Sequence, residues 1–193
     1  MKEWRSPYFY QIFEKSFEGV HNPIVVYDIG ANVGAWGDIV LTEFPVKKLY
    51  SFEPEEENFS FLSERLNRDS CVNINKGIFY GKSESIAYGK GDNNCGGYFV
   101  GGLKPFGISG YSTGKVFELV ELESLDIEKP DLIKIDIEGS ELNLIEHSTI
   151  LKECKKLIIE WHFNPEEARP FFEKHLKHNV TLSLEDKMFL LEL

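Results

Sequence analysis

The sequence predicts an α/β fold, a mostly parallel sheet covered by helices on both faces and closed by a carboxyl-terminal antiparallel hairpin. Three observations predict it. Apolar runs of strand length alternate with segments of helical spacing, the pattern of strands buried on both sides. A glycine-bearing turn, Asp28-Ile29-Gly30-Ala31-Asn32-Val33-Gly34, joins the first strand to the first helix after it. Two later apolar strands end in charged residues, Asp136 and Glu160, that have no packing purpose there.

The elements follow in order. The first strand is Ile24-Val25-Val26-Tyr27, ending at Asp28. Trp36, Ile39, Val40 and Phe44 then fall at helical spacing, and Pro45 stops that helix because it can neither donate a backbone hydrogen bond nor avoid the preceding turn. Leu49-Tyr50-Ser51-Phe52 is the second strand, running into Glu53-Pro54. Pro54 suits a helix start, Glu55, Glu56 and Glu57 complement the positive end of the helix dipole, and Phe59, Leu62 and Leu66 form the buried stripe. A third strand is expected over 72–79. Residues 89–114 are glycine-rich, carry Tyr98, Phe99, Phe106 and Tyr111, and show no sustained period, so an excursion over about 85–118 is expected as a loop or hairpin. Strands resume over 132–136 and 157–161, separated by a helix over about 140–151. Asn164-Pro165-Glu166-Glu167 is a capped helix start, and 180–184 with 188–193 reads as the closing hairpin.

A chain of 193 residues, 42% hydrophobic, can bury one substantial core, so a single domain over 1–193 is expected. Its 32 Asp and Glu against 21 Lys and Arg give a formal charge of −11, which works against phosphate backbones and anionic lipid as partners. No nucleic acid and no membrane are therefore expected. Cys71, Cys95 and Cys154 show no zinc-site spacing and read as free thiols in a reducing, cytoplasmic compartment. Charges interrupt the aromatic residues of the amino terminus, so neither a signal peptide nor a membrane span is expected there.

The turn after the first strand carries the most chemistry. In Rossmann-like sheets such a turn directs backbone N–H groups into the crevice at the strand ends, and Gly30 lets a ligand come close to the main chain. A dinucleotide's pyrophosphate would require glycine where this chain has Asn32. S-adenosylmethionine has no phosphate, and its carboxylate and amine suit an amide side chain and an acidic strand end such as Asp28. Glu53 ends the second strand about 20 residues past the glycine turn, where such sheets present a carboxylate to ribose hydroxyls. Read separately, Gly30 and Gly34 are turn glycines and Glu53 a helix-capping acid. Together at this spacing they point to S-adenosylmethionine rather than NAD.

DIGANVG, FEP at 52–54, KIDIEGSE at 134–141 and IIEWH at 158–162, in this order, resemble the FkbM-type methyltransferases over roughly residues 25–163. The resemblance implies a seven-stranded Rossmann-like sheet, S-adenosylmethionine as methyl donor, and O-methylation, often of a sugar hydroxyl on a glycan or natural product. It puts Asp28, Gly30, Asn32, Gly34 and Glu53 at the cofactor. Asn75 and Gly77, within Asn75-Lys76-Gly77-Ile78 after the third strand, lie where such folds contact adenine, and a strand-end turn is the alternative. The excursion at 89–114 matches nothing in that pattern. Its glycines and interleaved aromatics suit recognition of a sugar acceptor, and a surface hairpin is the alternative.

Ligands of parallel sheets sit outside the carboxyl ends of the strands, so Asp136, Glu138, Glu160 and His162 are expected to gather near the transferred methyl. His162 is the natural base for an acceptor hydroxyl, oriented or assisted by Asp136 and Glu160. Asp136, Glu160 and His162 are equally a candidate set of ligands for a divalent metal that lowers the hydroxyl's pKa. Structural readings stand beside these: a hydrogen-bonded histidine at a strand end, a Lys134–Asp136 ion pair, and Glu138-Gly139 as a helix start. The leading function is thus an O-methyltransferase acting on a small-molecule or glycan acceptor. A nucleic-acid 2′-O-methyltransferase, disfavoured by the acidic balance, and a non-catalytic cofactor-binding module are the alternatives. The sequence sets no oligomeric state.

Overall fold

The computed structural model describes residues 7–90, 98–99, 110–185 and 187–193. A seven-stranded sheet forms the centre, in the order β10-β11-β9-β8-β1-β2-β3. Its strands are β1 (Ile24–Ile29), β2 (Val46–Phe52), β3 (Cys71–Ile74), β8 (Leu132–Ile135), β9 (Lys156–Glu160), β10 (Asn179–Leu184) and β11 (Met188–Glu192). Pairing is parallel from β3 through β9, and the β10–β11 hairpin closes the edge antiparallel against β9.

Alternation along the strands divides the core into two layers. Val25, Tyr27 and Ile29 of β1, with Leu157 and Ile159 of β9, face α4 (Glu141–His147), α5 (Thr149–Glu153) and α6 (Pro165–His175). Val26, Leu49, Ile158 and Leu190 face the other way, against α1 (Pro7–Ser16), α2 (Ala35–Glu43) and α3 (Glu56–Arg65). Both faces being apolar explains why the strands read as continuous hydrophobic runs.

Most expected elements are present, with differences that have local causes. The helix stops before Pro45 and begins again after Pro54 as anticipated; Glu55 caps α3 by accepting from the Asn58 N–H, and Asn164 caps α6 by accepting from the Glu166 N–H. The third strand is divided: β3 stays in the main sheet, whereas β4 (Gly77–Ile78) leaves it to pair with β7 (Gly110–Val120). The helix expected over 140–151 breaks at Ser148, whose hydroxyl caps α5 by accepting from the Leu151 N–H. The glycine-rich excursion is hairpin-like at its base. β5 (Glu84–Lys90) pairs antiparallel with β7 and with β6 (Tyr98–Phe99), completing a second sheet of order β4-β7-β5-β6. Residues 1–6, 91–97, 100–109 and 186 lie outside the described residues, and with them Cys95 and Phe106. Among the described residues no helix is long and apolar enough to cross a membrane.

Candidate active site

The parallel strands deliver their carboxyl ends to one edge of the sheet, and a cavity opens there between β1, β2 and β8. Its wall includes Gly30, Asn32, Glu53, Gly77, Asp136 and Ser140. Phe52, Ile78 and Phe117 supply apolar surface to the same wall. A cavity of mainly apolar lining with a few converging polar groups suits one small organic ligand.

Glu53 is the best-placed of the expected cofactor residues. Its side chain lies at the end of β2, 6% exposed, with Oε2 accepting from the Asn32 N–H at 2.9 Å and Oε1 from the Glu55 N–H at 3.0 Å. Each carboxylate oxygen retains acceptor capacity for a ligand hydroxyl. Burial pushes its pKa up to about 7, against the pull of those two N–H groups. Asn32 occupies the left-handed region at φ 51°, which asparagine tolerates better than most side chains, and its Oδ1 accepts from the Val33 N–H. Asn75 lines an adjoining open groove and donates through Nδ2 to the Glu53 carbonyl at 2.8 Å.

Three expected cofactor residues support the site from beneath or beside it. Asp28 is fully buried, pairs with Lys134 at 3.1 Å and does not line the cavity. Gly34, at φ 76°, abuts α3: an added Cβ would lie 2.8 Å from the Leu62 side chain. Gly30 lines the cavity, yet its lack of a side chain serves packing as well, since a Cβ there would lie 1.8 Å from the Asp136 carbonyl oxygen. Glycine is thus needed at 30 for the loop after β1 to meet the loop after β8.

Lys134 ties these parts together. Its ammonium group, 3% exposed, donates to the Gly30 carbonyl at 2.8 Å and faces Asp28 at 3.1 Å and Asp136 at 3.4 Å. Burial opposes its charge, but the two carboxylates overcome that and raise its pKa above the ordinary lysine value. The Lys134–Asp136 ion pair expected from the sequence is therefore present.

Beyond Asp136 the chain turns through Glu138 and Gly139 at φ 54° and 102°, rather than entering a helix directly. That turn brings Glu138 Oε2 to 3.1 Å from His162 Nε2, with Glu160 Oε1 at 3.8 Å and Asp136 Oδ1 at 3.9 Å from the same nitrogen. The four residues anticipated at the ends of β8 and β9 do converge. The group that orients His162, however, is Glu141, which the sequence reading missed. Glu141 is fully buried, and its Oε1 accepts from His162 Nδ1 at 2.8 Å, from the Gly139 N–H at 3.2 Å and from the Ile137 N–H at 3.3 Å. Burial disfavours the imidazolium, but the carboxylates of Glu141 and Glu138 hold the His162 pKa well above its ordinary value. Burial, reinforced by Asp136, pushes Glu160 up to about 8. Ser140, also unanticipated, places a 1%-exposed hydroxyl with no hydrogen-bond partner among the described residues in the cavity wall beside Asp136 and Glu138.

This geometry agrees with the comparisons to known proteins. The methyltransferase FkbM domain family matches residues 28–182. A curated relative, the hexuronic acid methyltransferase AglP of Haloferax volcanii, is 28% identical over 174 residues, covering 86% of this chain and 69% of its own length. The crystal structure of methyltransferase FkbM from Methylobacillus flagellatus superposes with a TM-score of 0.58 at 17% identity over 89% of this chain, which spans only 44% of that longer chain. M. capricolum TrmK, solved with S-adenosyl-homocysteine, gives a TM-score of 0.53 at 10% identity, covering 95% of this chain and 66% of its own. At such identities the two solved structures establish a shared Rossmann-like methyltransferase fold. The family match spans most of the sequence and contains the cavity and every residue of the converging cluster, so this chain belongs to the FkbM methyltransferase family.

Proposed function

We propose that this chain transfers a methyl group from S-adenosylmethionine to a hydroxyl of a sugar, on a glycan or a glycosylated small molecule. The observation that carries the reading is the cavity at the strand ends, whose wall holds Glu53, Asp136 and Glu138. The residues present fit the donor: Glu53 has spare acceptor positions for two ribose hydroxyls, Phe52, Ile78 and Phe117 offer apolar surface to adenine, and Ser140 has an unused hydroxyl. S-adenosylmethionine supplies an electrophilic methyl on a positively charged sulfur, and the sulfur keeps the bonding electrons when the acceptor oxygen attacks in line. The acceptor's proton passes to the cluster of Asp136, Glu138, Glu160 and His162. His162 is already engaged at both nitrogens, so it accepts that proton only after releasing its own.

A sugar acceptor is supported by the curated relative, which is named for hexuronic acid. Incubation with methyl-labelled S-adenosylmethionine and a hexuronic-acid-bearing oligosaccharide should give labelled product that resists mild alkali, as an ether does. Label released by alkali would mean esterification of the carboxyl group and overturn the hydroxyl assignment.

The cofactor half is tested through Glu53. Glu53→Ala should weaken S-adenosylhomocysteine binding by about 1.5–3 kcal/mol, the range for a hydrogen bond involving a charged group. The pH dependence has a definite sign. Native Glu53 holds its proton to about pH 7, so its contribution to folding stability is complete below the unfolded carboxyl pKa and is lost as pH rises through 7. Ligand affinity moves oppositely, because the ionised form is the better acceptor for ribose hydroxyls. Isothermal titration from pH 6 to 8 should show affinity rising in the wild type and flat in Glu53→Gln. A flat wild-type profile with unchanged affinity in Glu53→Ala would return Glu53 to a purely structural role in the loop.

A further inference from the structure

We propose that Asp136, Glu160 and His162 bind a divalent cation, and that the ion holds the oxygens of the acceptor against the transferred methyl. The second part rests on the glycan reading above, and the first does not. One ligand atom from each of the three residues lies within 4.8 Å of the other two. His162 Nε2 stands 3.8 Å from Glu160 Oε1 and 3.9 Å from Asp136 Oδ1. Donors about 2.1 Å from one octahedral ion are about 3 Å apart when adjacent and about 4 Å when opposite, so small side-chain rotations complete the set.

The surroundings of His162 are those of a ligating imidazole. A metal-bound histidine almost always gives its other N–H to a carboxylate or carbonyl, which fixes the tautomer and aims the ligating nitrogen. Here Nδ1 lies 2.8 Å from Glu141 Oε1, on a carboxylate that is itself fully buried and anchored by two backbone N–H groups. Nε2 is thereby turned toward Asp136 and Glu160, and an ion bound there would displace the proton that Nε2 now shares with Glu138 Oε2 at 3.1 Å.

Charge points the same way. Lys134 faces Asp28 and Asp136, and Glu138, Glu141 and Glu160 gather about the His162 imidazole with side-chain exposures of 17%, 0% and 29%. Partly buried carboxylates gathered at one point attract a cation. The Ser140 hydroxyl, 1% exposed and with no hydrogen-bond partner among the described residues, lies in the cavity wall shared with Asp136 and Glu138.

The mixed nitrogen and oxygen donor set suits Mn²⁺, Fe²⁺ or Zn²⁺, and Mg²⁺ if waters complete its shell. Three protein donors leave positions for two oxygens of a sugar, and a hydroxyl on such an ion loses its proton more readily. A cation also reconciles an anionic hexuronate with a site built from carboxylates.

Titrating the full chain with Mn²⁺, free of cofactor and acceptor, and following the free-ion paramagnetic resonance signal tests the proposal without any turnover. The expected result is one Mn²⁺ bound per chain, with affinity at least about tenfold weaker in His162→Ala and Asp136→Asn and unchanged in Glu153→Gln, a surface control. Electron spin-echo modulation from an imidazole nitrogen should be visible in the wild type, which needs no substituted protein. Absence of saturable Mn²⁺ binding, or binding with no nitrogen coupling, overturns the proposal. A parallel S-adenosylhomocysteine titration separates the two readings: binding of that ligand without Mn²⁺ removes only the metal site, whereas failure of both removes the methyltransferase reading as well.

Discussion

His162→Ala is expected to slow methyl transfer by about 10²–10⁴-fold while leaving S-adenosylhomocysteine affinity almost unchanged. The asymmetry follows from position. His162 stands behind the cavity, touching its wall residues Asp136 and Glu138 rather than lining it, so cofactor contacts survive its removal. What is lost is the nitrogen that faces the carboxylates at the ends of β8 and β9. Glu141→Gln gives a sharper version of the test. The amide oxygen can keep the contacts to Nδ1 and to the two backbone N–H groups, but the negative charge that holds the His162 pKa up is removed. Turnover should therefore fall in Glu141→Gln with the imidazole still in place, and the pH–rate profile should lose its wild-type shape. Near-normal turnover in both variants, with wild-type melting temperatures, would leave His162 and Glu141 as structural partners only.

Lys134→Met should lower the free energy of unfolding by about 3–5 kcal/mol, the usual consequence of removing one partner of a buried ion pair. The side chain is of similar length and apolar, so little of the loss comes from packing. The loss comes from Asp28, fully buried with no other charged partner described, and from Asp136, which Lys134 also faces. A second effect is local: the Gly30 carbonyl loses its donor, and the loop after β1 loses its tie to β8. Urea denaturation at neutral pH measures the first effect and S-adenosylhomocysteine titration the second. Pairing Lys134→Met with Asp28→Asn should restore part of the stability, because the buried charge itself is then removed. A loss below about 1 kcal/mol in the single variant would mean that Asp28 is neutral in the native protein and that Lys134 contributes little.

The strands of the main sheet other than the divided third, the glycine turn and the closing hairpin were determined by sequence, because each rests on local rules: two-sided burial writes a strand as an apolar run, and Pro45, Pro54 and Asn164 punctuate the helices where their backbone chemistry requires. Glu53 was legible for the same reason, standing at a strand end at the spacing of the glycine turn. The convergence of Asp136, Glu138, Glu160 and His162 could be anticipated from parallel topology alone, since adjacent strands β8 and β9 end at the same edge. Tertiary structure alone decided which of these groups touch, and how. Asp28 and Lys134 lie side by side on β1 and β8, in register across a parallel pair separated by about a hundred residues of chain, so nothing local showed that Lys134 would also reach the Gly30 carbonyl. Gly34 reads like a ligand-loop glycine, but its form answers to Leu62 and Leu66 of a different helix. Glu141 looks like an ordinary acid in the first turn of a helix, and only the left-handed turn at Glu138 and Gly139, packed against the end of β9, carries its carboxylate to His162. Periodicity and turn chemistry are properties of neighbours in the chain, whereas the pairing that sets each group's charge and aim is made between residues brought together only when the sheet closes.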